Sequence, residues 1–229
     1  MRILSVRRGF LADHSSTSYE FLAIKNPLGA EARAAVSRLS SRARPTARRV
    51  SFIYHAEGYD LPGGWGPLLF KYYDVMYSES YGWWTFAVAF DTTNKSLISK
   101  LKKYAFYGTD DFGVSVQQKQ GRVIVTISCM LDAGGLSGGG WEEPSYDEDE
   151  DEEDDLVDDG VVATDDSLLD LLARLRSCLM RGKCEPLYAV WEEYGSNDDE
   201  EDEESPPKPK ETVKGTAVAA ELAGMLTRP

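Results

Sequence analysis

The chain has 229 residues, 42% of them hydrophobic, with 39 acidic against 25 basic side chains and a formal charge of −14. No apolar stretch reaches the ~20 residues that a bilayer span needs, which excludes a membrane-spanning helix, and the composition fits a soluble globular body. The charge is local: nine consecutive carboxylates at 147–155 and seven at 198–204 leave 23 acidic against 25 basic residues elsewhere.

Arg2 to Arg8 and Ser18 to Lys25 read as the two strands of a hairpin, joined across Gly9 to Thr17. Leu28 to Ser40 reads as an Ala-rich helix with Leu28, Ala32, Ala35, Val36 and Leu39 on one stripe. Arg48 to His55 is a strand, a Gly- and Pro-rich loop covers 58–67, and a short helix lies near Leu68 to Asp74. Trp83 to Phe90 (WWTFAVAF) reads as a central strand, and Asn94 to Tyr104 as a helix with Leu97, Ile98 and Leu101 inward. The clearest hairpin joins Gly113–Gln118 to Arg122–Met130 through a turn at Gln120-Gly121.

Beyond Ala133 the composition changes to glycine and then to acid. Self-repelling runs of this kind have no place in a core and are expected to be solvated and without fixed structure. Asp165 to Arg181 is a helix with Leu168, Leu171, Leu172, Leu175 and Leu179 on its stripe, capped by Thr164 or Asp165. Its Arg174, Arg176 and Arg181 suit the negative end of the helix dipole. Glu185 to Tyr194 forms a second short helix.

These elements predict an α+β fold: a mainly antiparallel sheet with hairpins, packed by three to five short helices. The expected organisation is a body at 1–132, a Gly-rich acidic loop at 133–163, a helical pair at 164–195 packing on the body, and an acidic, Pro-rich tail at 196–229. The amphipathic stretch 216–226 docks on this body, docks on a partner, or does not form, since an isolated helix of that length is marginal. Removing the tail is expected to leave the body's melting temperature nearly unchanged.

Thirteen of the 25 aromatic residues fall between Phe52 and Phe90, interleaved with acids, which makes this the candidate site region. A general base would be His55, oriented by Glu57 or Asp60, with Tyr77 or Glu79 near a substrate. A recognition surface would use Tyr54, Tyr59, Trp65, Tyr72, Tyr73 and Trp83. Arg38, Arg42, Arg44, Arg48 and Arg49, with Arg33, form a basic patch suited to nucleic acid or to the chain's own acidic runs. His14 with Ser15 and Asp13 lacks a GxSxG elbow, and the glycine clusters at 63–66 and 138–140 lack the Lys-Ser/Thr ending of a phosphate loop. Cys129, Cys178 and Cys184 with His14 and His55 lack zinc spacing, so neither a metal nor a cofactor is expected.

An odd cysteine count without a secretory leader predicts reduced thiols and a cytoplasmic protein. The expected function is a non-enzymatic interaction or accessory protein that engages a protein partner, plausibly basic, through aromatic and acidic segments. The alternatives are a hydrolase or transferase built on the His/Glu/Asp/Tyr set, and a nucleic-acid binder using residues 33–49.

Overall fold

The computed structural model describes residues 17–54, 61–108, 111–131, 166–195, 205–209 and 217–228. In chain order these form β1 (Thr17–Leu22), α1 (Ala30–Ser37), β2 (Arg49–Tyr54), α2 (Gly66–Lys71), β3 (Val75–Ser80), β4 (Trp83–Asp91) and α3 (Lys95–Lys102). Then come β5 (Phe106–Tyr107), β6 (Gly113–Lys119), β7 (Arg122–Leu131), α4 (Ser167–Met180), α5 (Glu185–Tyr194), α6 (Ala217–Ala223) and β8 (Leu226–Thr227). The strands make one antiparallel sheet in the order β2-β1-β3-β4-β7-β6-β5, with β8 added to the end of β7. The α+β class is as expected, with six helices among the described residues instead of three to five. None of these helices is long and apolar enough to cross a membrane.

Alternation along the strands divides the interior into two cores, one on each face of the sheet. Phe21, Val50, Phe52, Met76, Ala87 and Ile124 face one way and are covered by Val36 of α1 and by Leu68 and Leu69 of α2. Val75, Tyr77, Phe86, Val88, Val125 and Ile127 face the other way, under α3, α4, α5 and α6. Helix α4 supplies most of that second cover. Leu168, Leu169, Leu171, Leu172, Leu175 and Leu179 are all buried, and each such side chain contributes about 1.5–3 kcal/mol.

Local chemistry explains the element ends. Asn94 caps α3 by accepting from the Leu97 amide, and Asp166 caps α4 by accepting from the Leu168 and Leu169 amides at 2.9 and 3.1 Å. The cap is thus Asp166, one residue past the expected pair. Both tight hairpins turn through left-handed backbone: Tyr81-Gly82 at φ 55° and 84°, and Gln120-Gly121 at φ 52° and 82°. Paired positive φ values give the type I′ turn, whose twist matches that of the strands.

Three sequence expectations change here. Thr17–Leu22 pairs with β2 and β3 on its two edges; its expected hairpin partner, Arg2 to Arg8, lies outside the described residues. Residues 75–80, to which the sequence pattern assigned no element, form the buried strand β3. Arg174 and Arg176 do not serve the helix dipole. The Arg174 guanidinium donates to both oxygens of Glu221 at 2.6 and 2.8 Å and to Asp170 at 2.8 Å, and Arg176 is buried.

The sheet end at Asp74 is locked by charge. Asp74 Oδ1 accepts from Arg122 at 3.0 Å and lies 3.4 Å from Arg176, while Oδ2 accepts from the Ile24 and Lys25 amides at 2.8 Å. Arg122 also donates to the Leu69 and Tyr73 carbonyls, both at 2.7 Å, and to Asp91 at 3.0 Å. Arg176 donates to the Ala89 carbonyl at 2.8 Å. A buried carboxylate between two guanidinia, with its remaining lone pairs occupied, is the arrangement in which a buried ion pair avoids an uncompensated charge.

Residues 217–228 dock on this body. Val218, Leu222, Met225 and Leu226 enter the α4–α5 core, β8 pairs Leu226 with Leu131 and Thr227 with Met130, and Arg174 clamps Glu221. Upstream, Tyr104 donates to the Pro207 carbonyl at 2.7 Å. A body indifferent to loss of the tail is therefore not what the packing implies.

Candidate functional site

The β3–β4 turn places Tyr81 and Trp83 at one end of the sheet, each 48% exposed. Trp83 is not loose. Its ring stacks on Phe112 with centroids 4.7 Å apart and planes 26° apart, and Phe112, fully buried, packs in turn on Tyr194 at 5.1 Å. The Tyr194 hydroxyl ties three segments together: it accepts from the Met130 amide at 3.1 Å and faces the Met130 and Thr227 carbonyls at 3.1 and 2.8 Å. Burial pushes the ionisation of this phenol up, so the hydroxyl stays protonated.

Strand β5 completes this end. Tyr107 pairs with Gly113 and is 71% exposed. Three strand spacings separate it from β4, about 14 Å along the sheet. The connection fits only with glycine at position 108, where a Cβ would stand 2.2 Å from the Tyr194 carbonyl oxygen. Trp83, Tyr81 and Tyr107 are thus three exposed aromatic residues along one end of the sheet, and Trp83 rests on the buried Phe112–Tyr194 pair.

A second group lies on the helical face of β3. Tyr77 is fully buried and donates to Asp166 at the start of α4. Glu20, 2% exposed, stands opposite Tyr77 in register, and Arg49 reaches Asp166 at 4.0 Å. Burial, followed by the Asp166 and Glu20 charges, raises the Tyr77 ionisation far above the phenol range. A phenol so placed is a fixed donor. Asp166 spends its other oxygen on the helix cap.

The expected site residues disperse over these surroundings. His55, Glu57, Tyr59 and Asp60 lie outside the described residues. Tyr77 and Glu79 sit on β3, not on a loop: Tyr77 serves Asp166, and Glu79 accepts from the Gly82 amide at 2.8 Å to close the turn. Tyr73 is a core residue at 0% exposure, packed 5.3 Å from Phe21, so it cannot line a surface. Tyr54, Trp65 and Tyr72 are half-buried against the α1–α2 core. Among the described members of the expected aromatic set, Trp83 is the one on the exposed sheet end.

Of the expected basic patch, Arg48 is buried and donates to the Ala23 and Ile24 carbonyls at 3.0 and 2.9 Å. Arg49 is engaged with Asp166 on the α4 side. Arg38, Arg42 and Arg44, with Arg33, are exposed.

Sequence reading missed Tyr81, Tyr107 and Phe112, which come from three separate segments, and also Glu20 and Asp166. The Tyr81-Gly82 pair between two apolar runs was the available signal for the turn. Compared with protein families, curated proteins and solved structures, the chain matches none of them.

Proposed function

We propose that the chain is a cytoplasmic, non-enzymatic binding protein that engages a basic protein partner at the sheet end carrying Trp83, Tyr81 and Tyr107. The observation that carries this reading is the Trp83–Phe112–Tyr194 stack. A half-exposed indole held on a buried ring loses little freedom when it is covered, which is the property of an interface anchor.

Charge gives the partner its sign. Asp198, first of seven consecutive carboxylates, follows Gly195 by three residues in the sequence, and Gly195 adjoins Tyr194 of the stack. An arginine- or lysine-rich partner would meet aromatic faces and carboxylates together. The employment of Tyr77 and Glu79 in internal hydrogen bonds supports binding over turnover. Three buried, unpaired cysteines support a reducing compartment.

The test is affinity capture from native lysate using the intact chain and its Trp83→Ala and Tyr107→Ser variants, each verified by circular dichroism. A protein retained by the parent and lost from both variants supports the reading. An identical retained set from all three removes it.

A further inference from the structure

The four arginines of the α1 segment form an exposed group of like charge. Arg122, Arg174, Arg176 and Arg228 each meet a carboxylate at 2.6–3.4 Å. Arg33, Arg38, Arg42 and Arg44 are exposed, and among the described residues none of them forms an ion pair. Arg44 alone is held, by donating to the Ser41 and Ala43 carbonyls at 3.0 and 3.2 Å. Four guanidinia within twelve residues on a near-neutral body repel one another and attract an anionic chain.

Topology says which anionic chain is at hand. The arginine segment runs into β2, the outermost strand of the sheet on that side. Arg49, the first residue of β2, lies 4.0 Å from Asp166. Asp166 is where the chain re-enters the described fold after the nine-carboxylate run, whose last member, Asp155, precedes it by eleven residues. Eleven residues extend to about 36 Å, whereas the seven between Arg42 and Arg49 cover at most about 25 Å. The tether therefore reaches, and a tethered polyanion competes at an effective concentration in the millimolar range. The second acidic run has other anchors: it lies between Gly195 and Ser205, and the following Pro207 is bonded to Tyr104 on the α3–α5 face.

We infer that the exposed arginine patch Arg33/Arg38/Arg42/Arg44 is a polyanion-docking surface whose occupant is the acidic run 147–155 of the same chain. The run screens the patch from other polyanions, nucleic acid included. This inference is independent of the aromatic sheet end.

Heparin, a defined polyanion, tests it on the full-length chain at low salt. In one variant Asp147, Glu148, Asp149, Glu150, Asp151, Glu152 and Glu153 become their amides; in the control the seven acids at 198–204 do, for the same change in net charge. Heparin affinity should rise about tenfold or more in the first variant, with a steep salt dependence, and change little in the control. Adding Arg33→Gln, Arg38→Gln and Arg42→Gln to the first variant should abolish the gain. Equal gains in both variants would assign the effect to net charge and overturn the inference. So would no gain, a gain that survives the arginine changes, or tight heparin binding by the parent chain.

Discussion

Arg176 and Asp74 meet at 3.4 Å between α4 and the sheet, joining two segments 102 residues apart in the chain. The carboxylate is 4% exposed and serves Arg122 and two backbone amides as well. Asp74→Ala would leave the buried Arg176 guanidinium without its counter-ion and Arg122 with Asp91 alone, which costs about 3–5 kcal/mol. Urea unfolding should show the unfolding free energy fall by that amount, through a lower midpoint with little change in slope. A loss under about 1 kcal/mol would mean that water reaches the cluster.

Truncation after residue 216 removes Val218, Leu222, Met225 and Leu226 from the core and uncovers Leu131. Each lost apolar side chain costs about 1.5–3 kcal/mol of burial. With roughly 2–4 °C per kcal/mol for a chain of this size, the thermal midpoint should drop by more than about 10 °C. Glu221→Gln, which keeps the shape and removes the charge facing Arg174, should cost far less, about 1–2 kcal/mol. Scanning calorimetry of both variants checks the ranking.

Tyr77→Phe removes the hydroxyl that donates to Asp166 and keeps the ring. Asp166→Ala removes the α4 cap and also leaves the buried Tyr77 hydroxyl without its acceptor. The first should cost about 1 kcal/mol and the second about 2–4 kcal/mol. If the two were equal, the cap would contribute nothing and α4 would be held by its leucines alone.

The thiols should report unfolding. Cys129, Cys178 and Cys184 are all buried and unpaired, and burial pushes Cys129 upward and Cys184 to about 11. A raised thiol pKa favours the protonated native form, so this contribution holds below the usual thiol range and is lost as pH rises toward the folded value. At neutral pH a thiol reagent such as DTNB should label none of them in the native chain and all three in urea. Labelling of any thiol in the native chain at the rate seen in urea would contradict the packing.

Acid should act on a different group. The Lys25 ammonium at 3.0 Å, helped by Arg122, holds the Asp91 carboxyl below its ordinary value. Its stabilising contribution is complete above the ordinary carboxylate range and disappears as pH falls through the lowered folded value. Asp91→Asn should flatten that part of the stability–pH curve between about pH 5 and 2, read by thermal melts across the range.

Much of the fold could be read from side-chain order alone. WWTFAVAF became β4, the leucine stripe became α4, and Gln120-Gly121 turned the hairpin, because in each case one local pattern decides one local structure. β3 escaped for a physical reason. VMYSES is buried on both faces, so it shows no clean alternation; Ser80 is satisfied by the distant Thr17, and Glu79 by the Gly82 amide of the turn that follows. The site followed the same logic: Trp83 was visible by its type, but the stack beneath it needs Phe112 and Tyr194, brought together only by the β4–β7–β6 neighbourhood and α5. Arg176 misled because an arginine on a helix gives no sign of the carboxylate waiting across the sheet.

The strand order also sets how this chain must assemble. Among the described strands, only β3–β4 and β6–β7 join neighbours through tight turns; β1 sits between two strands made later, and β8 adds to one made much earlier. Distant segments must find each other before the cores close, and such non-local topologies fold in milliseconds to seconds, not microseconds. Stopped-flow refolding should therefore show the two hairpins as early, partial kinetic nuclei, with β1 insertion as the slow step that commits the molecule.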